Sequence, residues 1–318
     1  MDDQLPTQPG WERELVSKLA MMNIKEQRAR RRWSLFWKFA WFTLAALTLA
    51  YVLGFIGSGA KSDMISRHTA LVKLEGTIDD KGVASAENIN AALKAAFSAS
   101  DSVGVILQIN SPGGSPVQSQ RIYDQIKRLR KDNPEKPIYV VVDEICASGG
   151  YFVAAAADKI YVDSSSLVGS IGVVVQGVGV DKLMEKIGVE NRTITAGDNK
   201  AFMDPFSPMK PEHKTHLESM LADVHQTFIK AVKDGRGDRL KANTPGLFSG
   251  LIWSGNKAIE NGLVDAVGTV ETVAREVLKA EDLIDYTIEE NAFDRFARRL
   301  GTQFGAGVVQ ATSGFSWK

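Results

Sequence analysis

The stretch VVVDEICASGGYFVAAAAD, residues 140–158, carries the strongest structural signal in the chain. It begins as an apolar run typical of a buried strand and changes at Ser148 to the small residues of a tightly packed helix. A serine at a helix N-terminus lies beside free backbone N–H groups, which favour developing negative charge. Ser148 is therefore either a nucleophile or simply the residue that caps the helix.

Strand-like and helix-like segments alternate on both sides of this stretch. The predicted strands are 70–78, 104–110, 137–145, 159–164 and 169–175. The predicted helices are 87–99, 116–132, 147–158, 181–187, 211–234, 255–261 and 269–279. This alternation is typical of an α/β fold with largely parallel strands. No internal repeat is visible, which predicts a single-copy catalytic unit.

A second glycine turn, SPGGS at 111–115, follows the apolar segment at 104–110. Both turns are expected at the carboxyl edge of the sheet, where ligands bind in α/β proteins. Gly113 and Gly114 can present a backbone N–H to an oxyanion, as Gly149 can after Ser148. The alternative is an ordinary Pro-Gly turn without a binding role.

A serine nucleophile needs a base, and the chain has four histidines. His68 lies near the apolar N-terminal segment, and the other three fall within 211–227, where a solvated helix surface is expected. Lysine is the other candidate base when burial favours its neutral form. Lys200 lies in the stretch ITAGDNKAFMDPFSP, 194–208, just before a proline-containing loop, although most lysines are surface residues.

Composition narrows the classes of protein that remain. Lys plus Arg equals Asp plus Glu at 38 each, so the net charge is zero and nothing favours a nucleic-acid partner. Cys146 is the single cysteine, which excludes an intramolecular disulfide. We expect it to be a small buried hydrophobe rather than a rival nucleophile.

The N-terminal region predicts a membrane anchor. A polar, arginine-rich tail, 1–32, precedes the aromatic and aliphatic stretch 33–58, in which Lys38 is the only charged residue. About 20 apolar residues suffice to cross a bilayer. The positive-inside rule places the tail in the cytoplasm and the rest of the chain outside it. A cleaved signal peptide, with the small residues at 58–60 as the cleavage site, is the alternative.

Four ordered motifs resemble the signal peptide peptidase A family of serine peptidases. They are SPGG at 111–114, ASGGYFVAAAADKI at 147–160, GSIGVV at 169–174 and the stretch around Lys200. The resemblance covers 68–280 and fits the short form of the family, with one catalytic domain. It implies a ClpP/crotonase-like fold, a repeated β-β-α superhelix, for a peptidase domain at 62–285.

The resemblance also implies a Ser–Lys pair. Ser148 would be the nucleophile, Lys200 the general base, and Ser170 the serine that hydrogen-bonds the lysine. The amides of Gly114 and Gly149 would form the oxyanion hole.

Specificity and partners are likewise implied. Apolar surface at Val173 and Val174 would favour small or hydrophobic side chains next to the scissile bond. Asp198 stands where the family usually has a further lysine, which puts substrate preference in doubt more than activity. No cofactor or metal is expected. The substrates would be signal peptides or other unfolded peptides.

The family assembles into octamers in which the lysine comes from a neighbouring subunit. This implies a single-pass homo-oligomer of the bacterial inner membrane, with the catalytic domain outside the cytoplasm. The amphipathic segment 286–318 is expected on the membrane, on a neighbouring subunit or on its own domain. The alternatives to a peptidase are a catalytically silent membrane scaffold and an acyl-CoA enzyme of the crotonase type.

Overall fold

The computed structural model describes residues 11–52 and 67–288. The chain divides into two compact units, one that includes an N-terminal helix and one that includes the sheet. The predicted C-terminal amphipathic segment, from residue 289 onward, lies outside the described residues.

The N-terminal helix, α1 (Trp11–Val52), is continuous over 42 residues. The hydroxyls of Thr43 and Thr48 donate to the carbonyls of Phe39 and Leu44, each at 2.9 Å. Within the described part of the chain, no helix is apolar over a length that would cross a membrane. The last six residues of the predicted anchor, 53–58, lie outside that part.

The second unit is built on an eight-stranded sheet in the order β6-β5-β3-β2-β1-β8, in which β4 pairs with β3 and β7. All pairs are parallel except β5 with β6. The strands are β1 His68–Glu75, β2 Ser102–Ser111, β3 Ile138–Ala147, β4 Lys159–Val162, β5 Leu167–Gly169, β6 Ile252–Ser254, β7 Ala266–Val267 and β8 Leu283–Asp285. The prediction of a largely parallel α/β fold is confirmed.

Seven α-helices and a short 3₁₀ helix, Gly237–Arg239, accompany this sheet in the described residues. The α-helices are α2 Ala86–Ser98, α3 Pro116–Asp132, α4 Gly149–Ala154, α5 Asp181–Ile187, α6 Pro211–Arg236, α7 Gly255–Glu260 and α8 Val270–Thr272, which continues as a π-helical turn, Val273–Leu278. Local signals set their starts: the Ser85 and Ser115 hydroxyls accept hydrogen bonds from the backbones of Asn88 and Gln118 at the first turns of α2 and α3.

Hydrophobic side chains cover both faces of the sheet, which explains the continuous apolar strands. Inward residues of α2 and α3, such as Leu93 and Ile126, belong to the larger core cluster with the strands and α4. Ile106 and Val141 point to the other face, into a smaller cluster with Val273. Sequence periodicity therefore predicts these elements well.

Two predicted elements are wrong around the glycine motifs. The strand predicted at 169–175 ends at Gly169, and residues 170–180 have no regular structure. The strand stops at Ser170, where φ is 51° and the N–H donates to the carbonyl of Leu251 at 2.8 Å. The helix predicted at 147–158 is shorter, since the chain after α4 tightens into i to i+3 turns through Ala157.

Candidate active site

Ser148 lies at a sharp corner between β3 and α4. Its φ of 50° and ψ of −122° form a conformation that L residues rarely adopt. Its N–H donates to the Gly169 carbonyl at 2.8 Å, and its carbonyl accepts from Phe152 at 2.9 Å. Ser148 directly precedes α4 in the N-cap position, but its side chain makes no capping hydrogen bond. The hydroxyl is held at the corner by the backbone alone.

Ser170 occupies the equivalent position on the neighbouring strand. β5 pairs in parallel with the end of β3, and Ala147 lies opposite Gly169, so Ser148 and Ser170 each follow directly after a paired residue. Both have a positive φ, 50° and 51°. The sheet register therefore brings the two serines to the same carboxyl edge.

The glycine turn after β2 packs directly against this corner. Ser111, the last residue of β2, pairs with Cys146 of β3, and Gly113 has a φ of 100°. A methyl group on Gly113 would lie 2.6 Å from the amide nitrogen of Gly149 and 2.7 Å from the Cβ of Ser148. No side chain fits there, so this contact requires glycine.

Gly114 presents its amide to the same space. The Ile78 N–H donates to the Gly113 carbonyl at 2.9 Å, and the Ser115 N–H donates to the Ile78 carbonyl at 2.8 Å. Since successive backbone groups of an extended segment point to opposite sides, the N–H of Gly114 faces away from Ile78. Its nitrogen is 3.2 Å from where a methyl group on Gly149 would lie. Two glycine amides thus meet next to Ser148.

A cavity of about 660 Å³ opens over these groups. Six of the seven predicted site residues line it: Ser148, Ser170, Gly114, Gly149, Val173 and Val174. Aromatic side chains from two helices form part of its wall, Phe152 of α4 and Phe228 of α6. The contribution of α6 had no signal in the sequence beyond its amphipathic pattern.

Lys200, the seventh residue, does not line this cavity. It is exposed, in a turn between α5 and α6 where its N–H donates to the Gly197 carbonyl at 3.1 Å. The turn is attached to α6, because the Asn199 side-chain oxygen lies 2.9 Å from Nε2 of His213. Within a single chain, Lys200 and Ser148 are not brought into one site.

The histidines do not replace the lysine. None of the four lines the cavity. The expectation of a solvated surface is wrong for His213, which is 9% exposed, and for His225, whose Nε2 lies 3.2 Å from the Ile171 carbonyl. Both face protein because α6 packs on the glycine-rich segments rather than standing free in solvent.

Cys146 is fully buried, and burial raises the pKa of its thiol well above its usual range. The thiolate is the nucleophilic form of cysteine, so this environment disfavours reactivity. The interpretation of Cys146 as a small core residue is confirmed.

Ser119 is a cavity residue that the motifs did not reveal. It is fully buried on α3, and its hydroxyl donates to the Ser115 carbonyl at 3.0 Å. Its Oγ would lie 2.4 Å from a methyl group on Gly149. The only sequence signal is its position on the inward face of α3, one turn before Tyr123.

Two protein-family profiles match this chain. The profile of Peptidase family S49 matches residues 130–283, which include both serines and Lys200. The profile of Clp protease matches 61–168, which include Gly114, Ser148 and Gly149.

The relatives agree with these profiles. The putative protease MJ0651 of Methanocaldococcus jannaschii is 36% identical over 222 residues, covering 67% of this chain and 70% of that protein. The putative signal peptide peptidase SppA of Enterococcus faecium is 34% identical over 187 residues, covering 59% of this chain and 54% of that protein. The chain belongs to peptidase family S49, the family of the signal peptide peptidase A proteins.

A third relative has a different name. The Na(+)/H(+) antiporter NhaA of Brucella abortus is 42% identical over 210 residues, covering 64% of this chain. The chain spans only 28% of the length of that protein and of its counterpart in Brucella melitensis. The antiporter name refers to proteins that are much longer than the matched part, so it does not describe this chain.

Proposed function

We propose that this protein is a serine endopeptidase in which Ser148 attacks the peptide bond. The observation that carries the proposal is the position of the Ser148 hydroxyl. It makes no capping hydrogen bond, lies at a backbone corner with positive φ, and lines the same cavity as Gly114 and Gly149. Membership of a peptidase family supports the same conclusion.

The roles of the other groups follow from charge and proton balance. Lys200, in its neutral form, accepts the Ser148 proton as the serine oxygen bonds to the substrate carbonyl carbon. The amides of Gly114 and Gly149 stabilise the oxyanion. The C–N bond then breaks as the lysine returns the proton to the leaving amine. Water, activated in the same way, hydrolyses the acyl-enzyme.

The cavity supports peptide substrates with small or hydrophobic side chains. Val173, Val174 and Phe152 give it apolar walls beside the serine. Residues 172–174 line the cavity, belong to no strand and make no backbone hydrogen bond to another described segment, which suits pairing with a strand-like peptide. We propose unfolded or membrane-derived segments, including signal peptides, as the substrate class.

We propose that a second copy of the chain completes each site. Lys200 lies outside the cavity of its own chain, and the segment around it exposes large apolar side chains, Ile194 at 96%. Others are Val174, Val178, Leu183, Ile187, Phe206 and Met209. Exposed apolar surface on this scale is typical of a protein interface. The octamer of the family is the assembly we propose.

We also propose that residues 33–58 anchor the protein in the bacterial inner membrane, with the N-terminus in the cytoplasm and the catalytic unit outside. Support comes from the sequence and from the aromatic and aliphatic side chains exposed on this part of α1. Trp33 and Trp37 stack with ring centroids 6.4 Å apart and are more than half exposed.

Co-expression of two inactive variants tests the shared site. Ser148→Ala and Lys200→Ala chains, carrying different tags, are expected to be inactive alone. Purified together by sequential tags, they should regain hydrolysis of an unfolded peptide, since about a quarter of the sites in a randomly mixed ring pair an intact serine with an intact lysine.

The outcomes separate the candidate functions. A wild-type protein that binds peptides without hydrolysing them would favour the silent scaffold. Hydrolysis by wild type but not by the co-assembled variants would place the base within one chain. Near-normal activity of Lys200→Ala alone would remove Lys200 from the mechanism.

A further inference from the structure

The cavity over Ser148 has one charged wall residue. Of the described residues that line it, Arg121 alone carries a charge, and the others are apolar or neutral. Arg121 lies in the second turn of α3, the helix that begins directly after the glycine turn. A lone cation in an apolar substrate cavity attracts an anionic group of the ligand.

Nothing in the described part of the chain neutralises Arg121. It is in no ion pair there, whereas Arg130 pairs with Asp158 and Arg236 with Asp265. Asp124, one turn further along α3, accepts a hydrogen bond from Gln120 at 2.8 Å instead. The Arg121 side chain is exposed at the cavity, so its guanidinium is accessible to a ligand.

We propose that Arg121 recognises a carboxylate of the peptide substrate. The guanidinium fork matches a carboxylate in a bidentate geometry, which gives both affinity and direction. This inference rests on the proposed peptidase function and adds a specificity to it: hydrophobic next to the scissile bond, acidic further along the peptide.

The rise of α3 between Pro116 and Arg121 gives a length scale for the distance along the peptide. Five residues of helix separate Pro116 from Arg121, a rise of about 7.5 Å. An extended peptide advances about 3.3 Å per residue. A carboxylate within about three residues of the scissile bond would span a comparable distance. It comes either from an Asp or Glu side chain or from the C-terminus of a short peptide.

Matched peptides separate these two sources. One series exchanges Glu for Gln at each of the three positions on either side of the cleavage site. A second pair differs only in a free or amidated C-terminus. Each peptide is assayed with the full-length wild type, with Arg121→Gln and with Arg128→Gln. Arg128 is the control because it is exposed on the same helix, two turns further on, and does not line the cavity.

We expect wild type to favour the acidic member of one pair by about fivefold in kcat/KM, mostly through KM. The preference should shrink in high salt, disappear in Arg121→Gln and persist in Arg128→Gln. A preference in the Glu series identifies a side chain, and one in the terminal pair identifies the C-terminus. The proposal would be overturned if wild type showed no preference for the acidic peptide. It would also be overturned if Arg121→Gln lowered kcat/KM equally for the acidic and the neutral peptides.

Binding to Ser148→Ala separates this inference from the peptidase function. The same peptides, fluorescently labelled, are titrated with Ser148→Ala and with Ser148→Ala/Arg121→Gln. An acid preference that depends on Arg121, without hydrolysis by wild type, would retain the carboxylate site and reject the peptidase. Hydrolysis without any acid preference would retain the peptidase function and reject the carboxylate site.

Discussion

The backbone at Ser148 and Ser170 has positive φ in residues that are not glycine. Such conformations cost about 1–3 kcal/mol each and persist only where the surroundings enforce them. Here the enforcing contacts are backbone hydrogen bonds, from Ser148 to Gly169 and from Ser170 to Leu251. These two conformations occur side by side, directly after the paired ends of β3 and β5, and they bring both hydroxyls to the same edge of the sheet.

Gly149→Ala tests the oxyanion assignment. Gly149 has no positive φ, so alanine suits its backbone, but the new methyl would lie 2.4 Å from the Ser119 hydroxyl and 3.2 Å from the Gly114 amide. We expect kcat for peptide hydrolysis to fall about 100-fold, with KM little changed, because the amides are displaced from the oxyanion.

Two further variants control this experiment. Ser119→Ala/Gly149→Ala removes the shorter contact and should recover part of the lost rate. Gly177→Ala, where a methyl group meets nothing within 4 Å, should behave as wild type. Near-normal turnover of Gly149→Ala would contradict the assignment.

The sequence allowed Ser148 and the glycines to be predicted because each follows a predicted strand end, where local chemistry determines geometry, whereas Ser170 was implied only by the family resemblance. Ser119 could not be predicted, since its contact with Gly149 depends on how α3 packs against α4. The same holds for Lys200, whose distance from the serine depends on the long connection between β5 and α6.

Among the elements, α6 is held to the sheet by a charged cluster at its end. Arg236, its last residue, is 1% exposed and donates to both carboxylate oxygens of Asp265 at 2.8 and 3.0 Å. Asp265 also accepts from the backbone N–H of Ile160 in β4 at 2.7 Å. This cluster fixes the helix that supplies Phe228 to the cavity wall.

Asp265→Asn should destabilise the catalytic unit by about 3 kcal/mol at neutral pH, because it leaves the buried Arg236 charge without its partner. Burial alone would raise the pKa of Asp265, but the hydrogen bonds and charge of Arg236 outweigh it and hold the pKa below its usual value. The stabilisation is therefore present above about pH 4, the unfolded value, and is lost as the pH falls through the lower folded value.

Urea unfolding between pH 7 and pH 3 checks this prediction. The difference in unfolding free energy between wild type and Asp265→Asn should narrow at the acidic end. Glu260→Gln, which alters an exposed pair with Lys257, is the control and should change little. A constant difference across the range would contradict the role of the carboxylate.

Periodicity predicted α3 and α5 over the same residues that the structure shows, and it placed β1 to β4 but not the short parallel strands β7 and β8. It failed at 169–175 because GSIGVVV is strand-like in composition, and only the contact of Ser170 with Leu251 reveals that the strand stops. Tertiary hydrogen bonding overrode local propensity there.

Anchoring in the membrane is a property of the whole molecule. We expect the full-length protein to sediment with membranes, to resist extraction by high salt and to be released by detergent. Leu44→Arg/Leu47→Arg should weaken this association, since each buried arginine costs about 3 kcal/mol in a membrane-spanning helix. Lys38→Arg, which keeps the charge, is the control. Release of the wild type by salt alone would contradict an anchor.

Covalent labelling tests whether Ser148 is the nucleophile. Full-length wild type and Ser148→Ala are treated with a serine-reactive fluorophosphonate, and the modified residue is located by mass spectrometry of proteolytic fragments. We expect wild type to be labelled on Ser148 and to lose peptide hydrolysis in proportion, while Ser148→Ala stays unlabelled. Absence of label on Ser148 in a hydrolytically active wild type, or equal labelling of Ser148→Ala, would contradict this assignment.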